Sequence, residues 1–122
     1  MNFIPGQVVD GRGAPAFLSE PGQVRIDVPP LAAWASRGPR AERATLGIRC
    51  EHVHEEADGP LVGHVLTEEY LGSARHVHVQ TQAGRLVMRA ASGPSRARGS
   101  ELRLRLDPAQ ISMFDAATEK RL

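Results

Sequence analysis

The chain has 122 residues, enough for one domain with a modest hydrophobic core. A formal net charge of +1 gives no general attraction to nucleic acid or anionic membranes, and the single cysteine excludes an intrachain disulfide. No apolar run approaches the ~18 residues of a membrane span and the chain does not start with a secretory signal, so we expect a cytoplasmic protein.

The first 28 residues predict short strands that are separated by turns. Residues 7–9 and 24–28 are rich in β-branched side chains, and the alternate positions in the second segment place its valines and isoleucine on one face. After two prolines, residues 31–35 are expected to form one helical turn. Trp34 in this turn either covers one end of the core or offers a stacking platform for a ligand.

From residue 45 onward, apolar and polar residues alternate almost to the end of the chain. The alternation predicts strands over residues 45–53, 61–71, 75–79, 85–90, 101–106 and 111–114. In the third of these, Val77 and Val79 point inward and His76 and His78 outward. Because no helical pattern of ten or more residues separates the strands, we predict an all-β barrel or sandwich.

The sequence contains none of the common catalytic motifs. It has no phosphate-binding G-x-x-x-x-G-K-[ST] loop, no G-x-G-x-x-G opening a helix and no G-x-S-x-G elbow. We therefore expect no catalytic, cofactor-binding or metal-binding residues in this chain.

Two other functions stay open at this point. His52 and His54, like His76 and His78, are two residues apart, which places each pair roughly 6–7 Å apart on a strand face and allows a zinc or nickel site. This would make the chain a metal- or small-ligand-sensing β-domain. The second alternative is an OB-type nucleic-acid-binding module, because arginines are frequent after residue 84, as in β-barrels that bind single-stranded nucleic acid. The aromatic residues that such binding needs for stacking are scattered, however.

Five short segments occur in the order found in one protein family. They are residues 1–6 (M-N-F-I-P-G), 46–52 (L-G-I-R-C-E-H), 69–73 (E-Y-L-G-S), 106–108 with 113–115 (L-D-P and M-F-D), and 118–122 (T-E-K-R-L). Together they resemble the C-terminal regulatory domain of ATPase subunits of ABC importers for maltose, other oligosaccharides or glycerol-3-phosphate. Cys50 departs from the proline that this family usually has there.

The resemblance implies an OB-fold-like small β-barrel with an additional N-terminal β-segment. Residues 1–122 would form a single regulatory domain, with an irregular N-terminal β-segment and variable connection over residues 1–44 and the transport-associated OB barrel half over residues 45–122. The implied role is regulation and dimerisation of the ATPase subunit, without catalysis by this chain.

The resemblance also implies the partners. ATP and magnesium would bind a missing N-terminal nucleotide-binding domain of the same subunit, and this chain would hold no cofactor. Its partners would be that domain, a second copy in a homodimer and, indirectly, the membrane permease subunits, with no nucleic acid. The expected location is cytoplasmic, peripheral to the inner membrane through the transporter complex.

Four charged or polar residues are candidates for contact with a partner. On a continuous strand over residues 45–53, Arg49 and Glu51 share one face and His52 follows them. At an interface such groups set register and partner choice more than affinity. We expect this charged strand end to face a partner domain or Glu68 or Glu69 of a neighbouring strand, and Glu69 completes the candidate set.

Overall fold

The computed structural model describes residues 1–10, 15–28, 42–91 and 95–116. The strands in this part of the chain are β1 (Asn2–Asp10), β2 (Pro15–Ser19), β3 (Arg25–Asp27), β4 (Glu42–Ile48), β5 (Val53–Glu55), β6 (Leu61–Leu71), β7 (Ala74–Thr81), β8 (Gly84–Ala91), β9 (Glu101–Leu106) and β10 (Ser112–Asp115). Short 3-10 helices lie at Cys50–His52 and Pro108–Gln110. No helix in these ranges is long and apolar enough to cross a membrane.

The strands form two antiparallel sheets of five strands each. Sheet one has the order β10-β4-β1-β2-β3 and sheet two the order β5-β9-β6-β7-β8. Buried apolar side chains from both sheets pack into one cluster, with Phe17, Leu46 and Leu104 among its fully buried members. The all-β prediction with an OB-like fold is therefore confirmed.

Most strands predicted in the second half of the chain are confirmed. Those over Leu61–Leu71 and Glu101–Leu106 have the predicted bounds. Val77 and Val79 are fully buried on β7, whereas the histidines beside them are partly exposed, as the period-two pattern predicts.

The continuous strand predicted over residues 45–53 is wrong. β4 ends at Ile48, the chain turns through the 3-10 helix Cys50–His52, and β5 begins at Val53 in the other sheet. The backbone N–H of His52 donates to the carbonyl of Arg49 (3.0 Å), and the backbone N–H of Asp107 donates to the carbonyl of His52 (3.1 Å). The segment is the crossover between the two sheets, and we call residues 49–52 the crossover.

β1 extends beyond the predicted segment 7–9, whereas β3 covers only the middle of the predicted segment 24–28. β1 starts at Asn2 and passes through Pro5, which a strand tolerates because pairing with β2 begins only at the next residue. The sequence pattern does not predict β2. A Cβ atom on Gly6 would lie 2.5 Å from the Phe17 ring and 2.3 Å from the carbonyl oxygen of Leu18, so glycine at this position allows Phe17 to pack in the core.

Some expectations fall on residues outside the described ranges. These are the helical turn over residues 31–35 with Trp34, and the motif over residues 118–122.

Candidate interaction surface

Three apolar side chains converge on the outer face of sheet one. A Cβ atom on Gly47 would meet Phe114 at 2.9 Å, the Met1 sulfur at 3.1 Å and Phe3 at 3.5 Å. The two aromatic rings pack edge to face, with centroids 6.2 Å apart. Met1 is 58% and Phe3 59% exposed, so we call Met1, Phe3 and Phe114 the apolar patch.

The strand register of sheet one builds this patch. Ile4, Leu46 and Met113 lie opposite one another on β1, β4 and β10 and are all buried. Since side chains alternate between faces, Phe3 and Phe114 must point outward. Gly47 lies beside them without a side chain, which lets the rings cover the backbone of β4.

The sequence reasoning missed this patch, although a signal was present. Phe3, Gly47 and Phe114 belong to three of the family-like segments, and the fold brings those segments together. Each phenylalanine is also next to an apolar residue on its strand, so one residue of each pair had to face outward. Exposed apolar side chains that are grouped in this way are typical of a contact surface for another protein.

The four predicted contact residues differ in exposure and in their partners. Arg49 and Glu51 are both exposed, but because the crossover is not a strand they do not lie side by side as predicted. Glu51 instead lies 4.0 Å from the guanidinium of Arg89 on β8. His52 is half-buried.

Glu69 on β6 lies opposite His76 of β7, and Nε2 of that histidine is 3.7 Å from the Cys50 sulfur in the crossover. The Glu69 carboxylate is 2.5 Å from Nε2 of His78, and Nδ1 of the same ring is 2.9 Å from the Arg85 guanidinium. Because the arginine can only donate, Nδ1 accepts and Nε2–H donates to Glu69. Hydrogen bonds thus hold the His78 ring between the Glu69 carboxylate on β6 and the Arg85 guanidinium on β8.

A buried charged cluster lies on the opposite face of β6 around Glu68, the residue before Glu69. The Glu68 side chain is only 6% and that of Arg75 only 3% exposed, and their charged atoms are 3.2 Å apart. Glu68 also accepts from the backbone N–H of Arg96 (3.1 Å), and the Arg96 guanidinium reaches Glu55 at 2.6 Å. The cluster ties the segment before β9 to β5 and β6, and Glu68 does not face the crossover as predicted.

This environment shifts the acidity of Glu68. Burial raises the pKa of its carboxyl group, but the hydrogen bond from the Arg96 backbone and the Arg75 guanidinium lower that pKa by more. The pKa therefore lies below its ordinary value, and the group is charged in the folded protein at neutral pH.

The histidine pairs do not form metal sites in the described ranges. His52 lies in the crossover and His54 on β5. Nε2 of His76 lies 3.7 Å from the Cys50 sulfur. In that part of the chain no three His, Cys, Asp or Glu residues come together as ligands.

Comparisons with known proteins confirm the family resemblance of the sequence motifs. The family described as "TOBE domain" matches residues 46–114, and the family described as "MalK OB fold domain" matches residues 1–53. Among solved structures, the cytoplasmic molybdate-binding protein ModG with molybdate bound has a TM-score of 0.72 at 15% identity, over 92% of this chain and 94% of that one. This likeness shows the fold.

The similar curated proteins are all longer. The sn-glycerol-3-phosphate import ATP-binding protein UgpC of Salmonella typhi is 38% identical over 124 aligned positions, which cover 100% of this chain and 33% of that protein. The protein of the same name from Yersinia enterocolitica is 33% identical, with 100% and 33% coverage. The chain spans about a third of the length of the curated relatives it matches.

Proposed function

Since the chain belongs to the TOBE domain family, we propose that it is the regulatory and dimerisation domain of the ATP-binding subunit of an ABC importer. The importer would carry sugars or related solutes, among them sn-glycerol-3-phosphate, the solute named in the relatives. Residues 1–122 would act as one regulatory unit, with residues 1–44 as the N-terminal segment and connection and residues 45–122 as the barrel half.

The apolar patch is the observation that carries this proposal. Met1 and Phe3 are exposed and pack around a half-buried Phe114, and an apolar group of this kind on the outside of a sheet favours a protein partner over a small molecule. The patch is also built from the segments that resemble the importer family. We assign its contacts to other parts of the assembled importer.

Charged groups would add specificity to these contacts. Arg49 and Glu51 are exposed at the crossover, and His52 and Glu69 remain candidates for the same role. Charge reversal in Arg49→Glu should weaken dimerisation of the full subunit or change its regulation. Unchanged behaviour in both assays would remove Arg49 from the contact surface.

The proposal places ATP chemistry outside this chain. ATP and magnesium would bind the nucleotide-binding domain of the same subunit, and this chain would bind no cofactor and catalyse nothing. Its partners would be that domain, a second subunit and, indirectly, the membrane permease subunits. The domain would then lie in the cytoplasm, peripheral to the inner membrane through the transporter complex.

The most direct test of this assignment is ATP hydrolysis. We expect the full subunit that contains this chain to hydrolyse ATP and the 122-residue chain alone to show no turnover. Hydrolysis by the 122-residue chain, or a full protein without an ATP-binding domain, would contradict the proposal.

A further inference from the structure

The side chain of Asn2 bridges from sheet one to sheet two. Asn2 is paired with Ile48 of β4 through the strand ladder. Its Nδ2 donates to the carbonyl of Val87 on β8 (2.8 Å), and its Oδ1 accepts from the Val87 N–H (2.9 Å). The amide thereby reproduces the two bonds that a residue of a neighbouring antiparallel strand would exchange with Val87.

The residues around Asn2 form a strap across this junction. Residues 2–5 of β1 pair with β4, whereas pairing with β2 starts at Gly6. We call residues 2–5 the N-terminal strap. Within the strap, Ile4 is buried in the core and Asn2 is only 7% exposed, so water competes poorly for the two hydrogen bonds of Asn2.

The strap connects the apolar patch with the edge of β8. Met1 and Phe3 flank Asn2 in sequence and contribute to the patch on the outer face, while the Asn2 side chain turns to sheet two. β8 is the last strand of sheet two, and Val87 lies between Arg85 and Arg89, which contact His78 and Glu51. A displacement of Met1 or Phe3 would therefore act on Asn2, whose side chain binds the backbone of Val87.

We propose that Asn2 is a latch that couples the position of the nucleotide-binding domain to the edge of β8. The inference rests on the proposed function, in which that domain precedes the strap in the full subunit. With the latch closed, Val87 is paired and sheet two is fixed to sheet one. Movement of the preceding domain draws the strap away, breaks both bonds and frees the backbone of β8 at Val87.

Hydrogen exchange of the Val87 amide in the full subunit tests the latch. Asn2→Ala should raise this exchange rate roughly tenfold or more, since it removes the acceptor of a shielded N–H. Asn2→Asp keeps the acceptor and removes the donor, and should give an intermediate rate. Gln7→Ala, which truncates an amide on the same strand, should change nothing, and the amide of Met88 serves as the internal reference.

The coupling is tested by comparing the nucleotide-free subunit with the subunit bound to a non-hydrolysable ATP analogue. We expect the Val87 exchange rate to differ between the two states in the wild type and to be equal in Asn2→Ala. Equal Val87 rates in Asn2→Ala and Gln7→Ala would overturn the latch. If the wild-type subunit hydrolyses ATP but its Val87 exchange rate is the same with and without the analogue, only the coupling is overturned. If the subunit does not bind the ATP analogue, the proposed function itself is overturned.

Discussion

Replacing Glu68 by glutamine should destabilise the protein more than any change at an exposed ion pair. The Glu68 carboxylate is almost fully buried and accepts from the Arg75 guanidinium and the Arg96 backbone. Glutamine has nearly the same shape but carries no charge, so Glu68→Gln removes the electrostatic attraction without leaving a cavity.

The magnitude follows from the 3.2 Å separation of Arg75 and Glu68. At an effective dielectric constant of about 20, this pair gains roughly 5 kcal/mol of gross attraction. Much of that gain offsets the desolvation of both groups, and removing one partner of a buried pair typically costs about 3–5 kcal/mol. Because glutamine still accepts a hydrogen bond from the backbone N–H of Arg96, we expect the free energy of unfolding to fall by the lower end of this range, about 3 kcal/mol.

Urea unfolding at pH 7 measures this loss, with Glu56→Gln as the matched control. Glu56 and Arg105 form an exposed pair 2.9 Å apart, and its removal should cost at most about 1 kcal/mol. The difference between wild type and Glu68→Gln should shrink as the pH falls below the ordinary carboxyl pKa of 4.5, because the folded-state pKa of Glu68 is lowered and its contribution is lost on protonation. Equal losses for Glu68→Gln and Glu56→Gln would refute the reasoning.

Two further predictions concern backbone positions. Gly6→Ala should cost about 2–3 kcal/mol in urea unfolding, since its Cβ would overlap a core ring and a backbone carbonyl oxygen. Gly47→Ala should cost less, because the nearest atoms belong to the side chains of Phe114 and Met1 on the outside of the sheet and not to the backbone; equal costs would contradict this. Cys50→Pro should raise stability by about 0.5–1 kcal/mol relative to Cys50→Ala, because Cys50 opens the 3-10 helix and Arg49 already has the extended φ of −75° and ψ of 148° that precede proline. A loss of stability in thermal unfolding would contradict that expectation.

The second half of the fold was predictable because its strands bury one face. Leu102, Leu104 and Leu106 alternate with charged residues, and such a pattern has only one strand orientation with a buried apolar face. The crossover was not predictable in this way. Residues 49–52, where the chain changes sheets, include no glycine or proline, and hydrogen bonds to distant residues such as Asp107 hold the turn.

The sites also depend on contacts between residues that are distant in sequence, which a local pattern does not show. Glu68 is buried because a β-bulge between Val65 and Thr67 shifts the alternation of β6, so that Glu68 faces Val77 on the inner side. A shift of this kind leaves no mark in the apolar pattern. The meeting of Phe3 and Phe114 likewise depends on the register of three strands that are far apart in sequence, although the family-like segments contained both residues.

The central claim, that the domain acts through protein contacts in an importer, is tested most directly on the full subunit in the reconstituted importer. Phe3→Gln combined with Phe114→Gln removes both aromatic rings of the apolar patch, and Gln7→Ala on the same strand as Phe3 is the control. We expect the double variant to change the subunit dimer dissociation constant or the ratio of solute uptake to ATP hydrolysis by roughly tenfold, as loss of an interface anchor does, while the control changes neither. If the double variant folds and leaves both quantities at their wild-type values, the account is contradicted.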